Sequence, residues 1–100
     1  MIIVIGSVIA RAGCHAEALA LSQAHVARSR LEPGCLAHAV HQDTENPARL
    51  VFVERWADRA ALLQHFKVPA SRVFAKALAA LAAEPPAIEL FKATPFQVPG

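Results

Sequence analysis

Three residues of this chain carry side chains suited to acid–base and aromatic chemistry: His38, Trp56 and His65. An imidazole titrates near neutral pH, so His65, ending the run Ala61-Leu62-Leu63-Gln64-His65, can accept a phenolic proton as a general base. The same side chain would also suit a helix surface or an interface. Trp56 is the only tryptophan and stands where a strand gives way to a helix; its indole can cap a core or form one wall of an aromatic pocket. His38 lies between Ala37 and Ala39, small neighbours that leave space around it. On a strand it shares a face with Leu36 and Val40. It reads either as a donor to a bound anion or as a histidine satisfied at an interface.

A second set of residues could shape a binding site. Glu54 alternates with Phe52 and Trp56 on one strand face, so its carboxylate needs a partner, an Arg or His across the sheet. An ion pair and a general base are both open to it. Phe66, Val73, Phe74 and Leu78 mark the apolar face of the later helices. Arg72 and Lys76 are spaced i, i+4 there, as a solvated face or as a cation steadying a phenolate. Glu32 reads as a loop anchor. His15, His25 and His41 read as exposed or terminal positions. Cys14 lies near a helix start, where a thiol can be activated, but no partner is clearly arranged to use it.

The elements that must position these groups follow from periodicity. Ile2 to Ala10 is apolar on both alternating sets, a strand covered on both faces. His15 to Leu31 reads as a helix whose inner face is Ala16, Leu19, Ala20, Gln23, Val26 and Ala27, ended by Pro33-Gly34. Cys35 to Gln42 and Arg49 to Ala57 form a hairpin through the turn Asp43-Thr44-Glu45-Asn46-Pro47. Asp58 is placed to cap a helix through about Phe66, and Pro69 suits the first turn of another, Ala70 to Ala83. Pro85-Pro86 stops it, and Ala87 to Thr94 is the last strand. The order β-α-β-β-α-β predicts an α+β, ferredoxin-like split βαβ fold: a four-stranded antiparallel sheet with helices on one face. Residues 1–95 make one domain, and 96–100 a tail.

With 55% hydrophobic residues in 100, the chain has more apolar surface than one such layer pair hides. The open sheet face calls for a cover, and a second copy packed sheet to sheet is the cheapest one. A net charge of +2 from scattered Lys and Arg gives no basic stripe, so nucleic acid is not an expected partner. The apolar N-terminus is too short to span a membrane and lacks a signal peptide's basic start. Two cysteines make no disulfide framework, which points to a reduced, cytoplasmic protein. No Gly-rich nucleotide loop is present, no Cys/His set has zinc spacing, and His38 and His41 point to opposite strand faces. No metal, flavin or other cofactor is therefore expected.

Three motifs occur in order: Ser29-Arg30-x-Glu32-Pro33-Gly34-Cys35, then Asp43-x-x-Asn46-Pro47, then Glu54-x-Trp56-x-Asp58-x-x-Ala61-Leu62-x-x-His65. Together they resemble the antibiotic biosynthesis monooxygenase (ABM) family, which includes quinol monooxygenases. The resemblance covers nearly the whole chain. It implies a dimeric α+β barrel, in which two copies pack through their sheets. It also implies an enzyme that oxidises an electron-rich aromatic with O2, the substrate itself supplying the electrons. Trp56 and His65 match the family's Trp and His.

The chain departs from particular branches. Haem-degrading members are similar to one another in an Asn on the first strand, where this chain has Ile5, Gly6 and Ser7; Ala75 falls about where their haem-ligating His would be. Polyketide oxygenases carry an Asn four residues before the strand Trp, here Phe52, and the Tyr usual near His38 is missing, since the chain has no Tyr. Quinol-monooxygenase-like chemistry is what the resemblance leaves, with His65, Trp56 and His38 as catalytic candidates and Phe52, Glu54, Phe66, Arg72 and Phe74 around the substrate. An isomerase of a small phosphorylated keto-sugar, with Lys67, Arg72 and Lys76 supplying cations, and a non-catalytic dimeric binding module are the alternatives.

Overall fold

A computed structural model describes every residue from Met1 to Gly100. Strand β1 (Ile2–Ile9) runs through the middle of a single sheet, followed by α1 (His15–Ser29), β2 (Cys35–Gln42), β3 (Arg49–Trp56), α2 (Arg59–Lys67), α3 (Pro69–Leu81) and β4 (Ala87–Lys92). The sheet order is β2-β3-β1-β4, with every neighbouring pair antiparallel. This is the expected ferredoxin-like arrangement, its helices gathered on one face. The second helical segment is divided in two. Val68 takes an extended conformation (φ −63°, ψ 124°) because the Pro69 ring disfavours a helical residue before it. Asp58 caps α2 as expected, accepting the Ala61 N–H at 2.8 Å.

Gly34 closes the α1–β2 turn with φ +82°, a conformation that L side chains rarely adopt. A Cβ there would also lie 2.5 Å from the Ala61 Cβ, so the turn packs directly on α2.

Cross-strand register sorts the side chains. Val4, Glu54 and His38 stand in one row across β1, β3 and β2; Gly6, Phe52 and Val40 form the next. Both rows face the helices. The pairing slips between Cys35 and Ala37, which makes Leu36 the residue of a bulge. Cys35 therefore shares the inner face with His38, while Leu36 is exposed, contrary to the strict alternation expected of β2.

The inner face holds two apolar clusters. One comprises Val8, Leu50, Phe52, Val26 and Leu78 with Ala10 and Ala18; the other comprises Ile2, Val4, Trp56 and Leu62. Along β3 the first ends at Phe52 and the second begins at Trp56, and Glu54 lies between them. The opposite sheet face carries Ile5, Val53 and Phe91, each still at least partly open to solvent. No helix is long and apolar enough to cross a membrane.

The inner face of α1 differs from the expected one. Ala18, Ser22, His25, Val26 and Ser29 are buried, whereas Ala16, Ala20, Gln23 and Ala27 are exposed. The helix is turned by about one residue, roughly 100°, from the hydrophobic reading. The two serines tolerate burial because each hydroxyl donates to a carbonyl one turn back, Ser22 to Ala18 and Ser29 to His25, both at 2.7 Å.

Candidate functional site

Glu54, the one carboxylate on the inner sheet face, is placed there by the alternation of β3. Its Oε1 accepts the Trp56 indole N–H at 2.9 Å and lies 3.3 Å from His38 Nε2. The His38 contact is close but out of line, so both nitrogens of that ring lack a hydrogen bond. Burial by itself would raise the Glu54 pKa; the adjacent His38, the indole N–H and, farther off, His65 outweigh it and hold the carboxyl below its usual range.

His65 projects from α2 over the same row. Its Nδ1 lies 2.8 Å from Glu32 Oε1, on the loop after α1. A carboxylate only accepts, so Nδ1 carries a proton, and in the neutral form of the ring it is Nε2 that has the lone pair. Glu32 is thus more than a loop anchor: it fixes the tautomer of the candidate base. The Trp56 indole stacks obliquely on this imidazole, with ring centres 4.6 Å apart.

His25 completes the group, and its expected exposure is corrected here. The ring is 5% exposed because the turned face of α1 directs it inward. It stacks on Phe74, ring centres 3.9 Å apart and nearly parallel, and its centre is 5.3 Å from that of His38 and 5.4 Å from that of His65. Desolvation, followed by the neighbouring His38 and His65, pushes its pKa down from 6.5 to about 3, so it is neutral at pH 7. Ser29 Oγ, whose proton goes to the His25 carbonyl, is 3.5 Å from Nε2, while Nδ1 has no partner. His38 is likewise buried beneath the helices, at 2% exposure, and does not lie on the open sheet face.

Glu54, His65 and His25 border a cavity of about 290 Å³ between α3 and the sheet. Phe52, Glu54, His65, Phe66, Arg72 and Phe74 all line it, as does His25. Its floor at the sheet is Gly6, where a side chain would otherwise stand. Trp56 and His38 do not reach it. Trp56 is fully buried in the second apolar cluster, supporting Glu54 and His65 from behind rather than forming a wall.

Of the three cations considered for an anionic substrate, Arg72 alone lines the cavity; Lys67 and Lys76 do not. His15 and His41 lie outside the group, His15 meeting Gln42 at the surface. Both cysteines are free. Burial, with Glu54 and Glu32 nearby, raises the Cys35 pKa, which disfavours a thiolate.

The arrangement can therefore bind a flat apolar ring between phenylalanines, present it to an oriented imidazole, and steady a negative oxygen with Arg72.

A family model described as antibiotic biosynthesis monooxygenase matches residues 1–77. The chain is 34% identical over 91 residues to the Synechocystis protein sll1783, itself called uncharacterized; the match takes in 91% of this chain and 62% of that longer one. Among solved structures, one described as an antibiotic biosynthesis monooxygenase superposes with a TM-score of 0.88 at 29% identity, covering 95% of this chain and all of that one. PA3566 from Pseudomonas aeruginosa follows with a TM-score of 0.84 at 28% identity, covering 94% of each chain. Rv0793 from Mycobacterium tuberculosis, at 23% identity and a TM-score of 0.89 over 97% of this chain and 98% of its own, shares the fold.

Proposed function

From the premise that the chain belongs to the antibiotic biosynthesis monooxygenase family, we propose that it oxidises a small electron-rich aromatic, a hydroquinone or related phenol, with O2, the substrate supplying the electrons. The observation that carries this reading is the Glu32-oriented imidazole of His65 on the wall of a cavity lined by Phe52, Phe66 and Phe74.

The aromatic ring lies between the phenylalanines, with its hydroxyl toward His65 Nε2. The imidazole removes the phenolic proton, and the anion's charge is shared with Arg72. Electron density then passes from the ring to O2, and a C–O bond forms at the carbon next to the oxygen. The imidazolium returns its proton to the distal peroxide oxygen. Loss of water breaks the O–O bond as the ring C–H proton leaves and a carbonyl forms. A hydroquinone and O2 thus give a hydroxyquinone and one water. O2 accepts four electrons in all, and one oxygen atom enters the product. General-base removal contributes roughly 10²–10⁴-fold to such a rate.

A second copy of the chain covers the open sheet face in this reading. Ile5 and Val53 pair across β1 and β3, Phe91 pairs with Ile3 in the next row of the same face, and leaving these apolar side chains in water is unfavourable at about 25 cal/mol per Å².

The test is O2 uptake by the purified protein against a panel of hydroquinones and anthrones, with His65→Ala alongside. Uptake that falls about 10²-fold or more in the variant supports the proposal. No uptake with any member of the panel overturns it, and undiminished uptake in the variant removes His65 as the base.

A further inference from the structure

We propose that His25, His38 and His65 form a binding site for one divalent transition-metal ion. One ring nitrogen from each lies within 4.8 Å of the other two, and the three rings are at most 5% exposed. They come from three elements, α1, β2 and α2, and meet at the boundary between the two apolar clusters.

Buried polar nitrogens ordinarily find a partner. Here His25 Nδ1 and both nitrogens of His38 have none. An ion among the rings would engage one lone pair from each.

The surroundings match what metal-bound imidazoles require. A ligating His is normally held from its far side by a carboxylate, a carbonyl or another acceptor, which fixes the ring and its tautomer. Glu32 holds His65 at 2.8 Å, the Ser29 hydroxyl lies 3.5 Å from His25, and Glu54 stands 3.3 Å from His38, though out of line with the ring nitrogen in the metal-free protein. Phe74 clamps the His25 plane.

Three neutral nitrogens select zinc, copper, nickel or iron(II) over calcium or magnesium, which take oxygen ligands. Zinc–nitrogen bonds of about 2.0–2.1 Å require the rings to close by roughly 1 Å from their present spacing. His25 and His65 border the cavity, so a fourth position opens toward it.

This inference goes beyond the oxidation reading. An ion held by His65 Nε2 occupies the lone pair that reading assigns to proton removal, so the ion-loaded and proton-accepting forms are alternative states of one cluster. Binding is measured directly and needs no turnover.

Chelator-treated protein, freed of chelator, is titrated with Co²⁺ alone, following visible d–d absorption, and then with Zn²⁺ in competition. One ion per chain is expected. His25→Phe, which keeps an aromatic ring on Phe74, should weaken binding by roughly 100-fold or more, while His15→Ala and His41→Ala leave it unchanged. In the wild type, Zn²⁺ should shift the ¹⁵N imidazole signals of His25, His38 and His65 and leave those of His15 and His41. Absence of saturable binding, unchanged affinity in His25→Phe, or shifts confined to His15 and His41 would each overturn the site. The wild-type spectra decide the matter even if a variant fails to fold.

Discussion

Glu32 and His65, 33 residues apart, meet at 2.8 Å across the loop after α1 and the buried side of α2. Gly34 lets that loop lie directly on α2, because a Cβ there would collide with Ala61. One turn thus fixes both where the helix sits and which nitrogen of its histidine is free.

Glu32→Gln keeps the shape but replaces an obligate acceptor with an amide that can also donate, so His65 loses its fixed tautomer. In the O2-uptake assay kcat should fall about 10–10²-fold with KM little changed. Glu32→Asp should recover part of it. Glu32 acts here as a positioning residue; a loss confined to thermal stability, with kcat intact, would refute that role.

Trp56→Phe retains most of the buried ring and removes the N–H donated to Glu54. The carboxylate then keeps only its out-of-line contact with His38. Urea denaturation should show a loss of about 1–3 kcal/mol, and Trp56→Ala, which also opens a cavity, about 3–5 kcal/mol. Equal losses in the two would mean that the hydrogen bond, not the packing, dominates.

Acid should destabilise the metal-free protein through two groups of the same sign. His25 takes up a proton near pH 6.5 when unfolded but only near pH 3 when folded. The unfolded chain therefore binds more protons in that window, and stability drops as pH falls from 6.5, by up to about 1.4 kcal/mol per pH unit. Glu54, held below its ordinary pKa of 4.5, contributes stability present above that value and lost as pH falls through its folded value. Denaturation midpoints from pH 8 to 4 should fall in the wild type and fall less steeply in His25→Phe. Parallel curves would show that His25 does not govern the slope.

Ile5→Lys or Val53→Lys puts a charge in the middle of the open sheet face. Sedimentation equilibrium should give twice 10.7 kDa for the wild type and 10.7 kDa for either variant. A wild-type protein that sediments as a monomer at micromolar concentration would rule out the sheet-to-sheet pairing.

The order of elements was readable because β1 is an unbroken apolar run, as a strand covered on both faces must be, and because Pro33-Gly34, Asp58 and Pro69 mark element ends through backbone chemistry that tertiary context does not override. Much of the site was readable: Phe52, Glu54 and Trp56 alternate as expected on β3, and His65, Phe66, Arg72 and Phe74 of the helices line the cavity. Leu36 was misjudged because a bulge breaks that alternation, which no residue type announces. His25 was missed because hydrophobic periodicity ranks a helix by its apolar side. α1 instead turns inward the spacing Ala18-x-x-x-Ser22-x-x-His25-x-x-x-Ser29, small or polar residues whose hydroxyls are satisfied within the helix. Residues 25, 38 and 65 also come together from three elements, beyond the reach of any local spacing motif.

Gly6 is the part of the cavity that folding leaves free to vary. It lacks the positive φ of Gly13 and Gly34, and a Cβ there would meet Phe52 and the Ala87 carbonyl at ordinary contact distance. Backbone strain does not require a glycine at that position. The single methyl of an alanine at residue 6 would raise the floor of the chamber while meeting its neighbours at ordinary contact distance. The length of the guest that fits can thus be changed at one codon, independently of the groups that react with it.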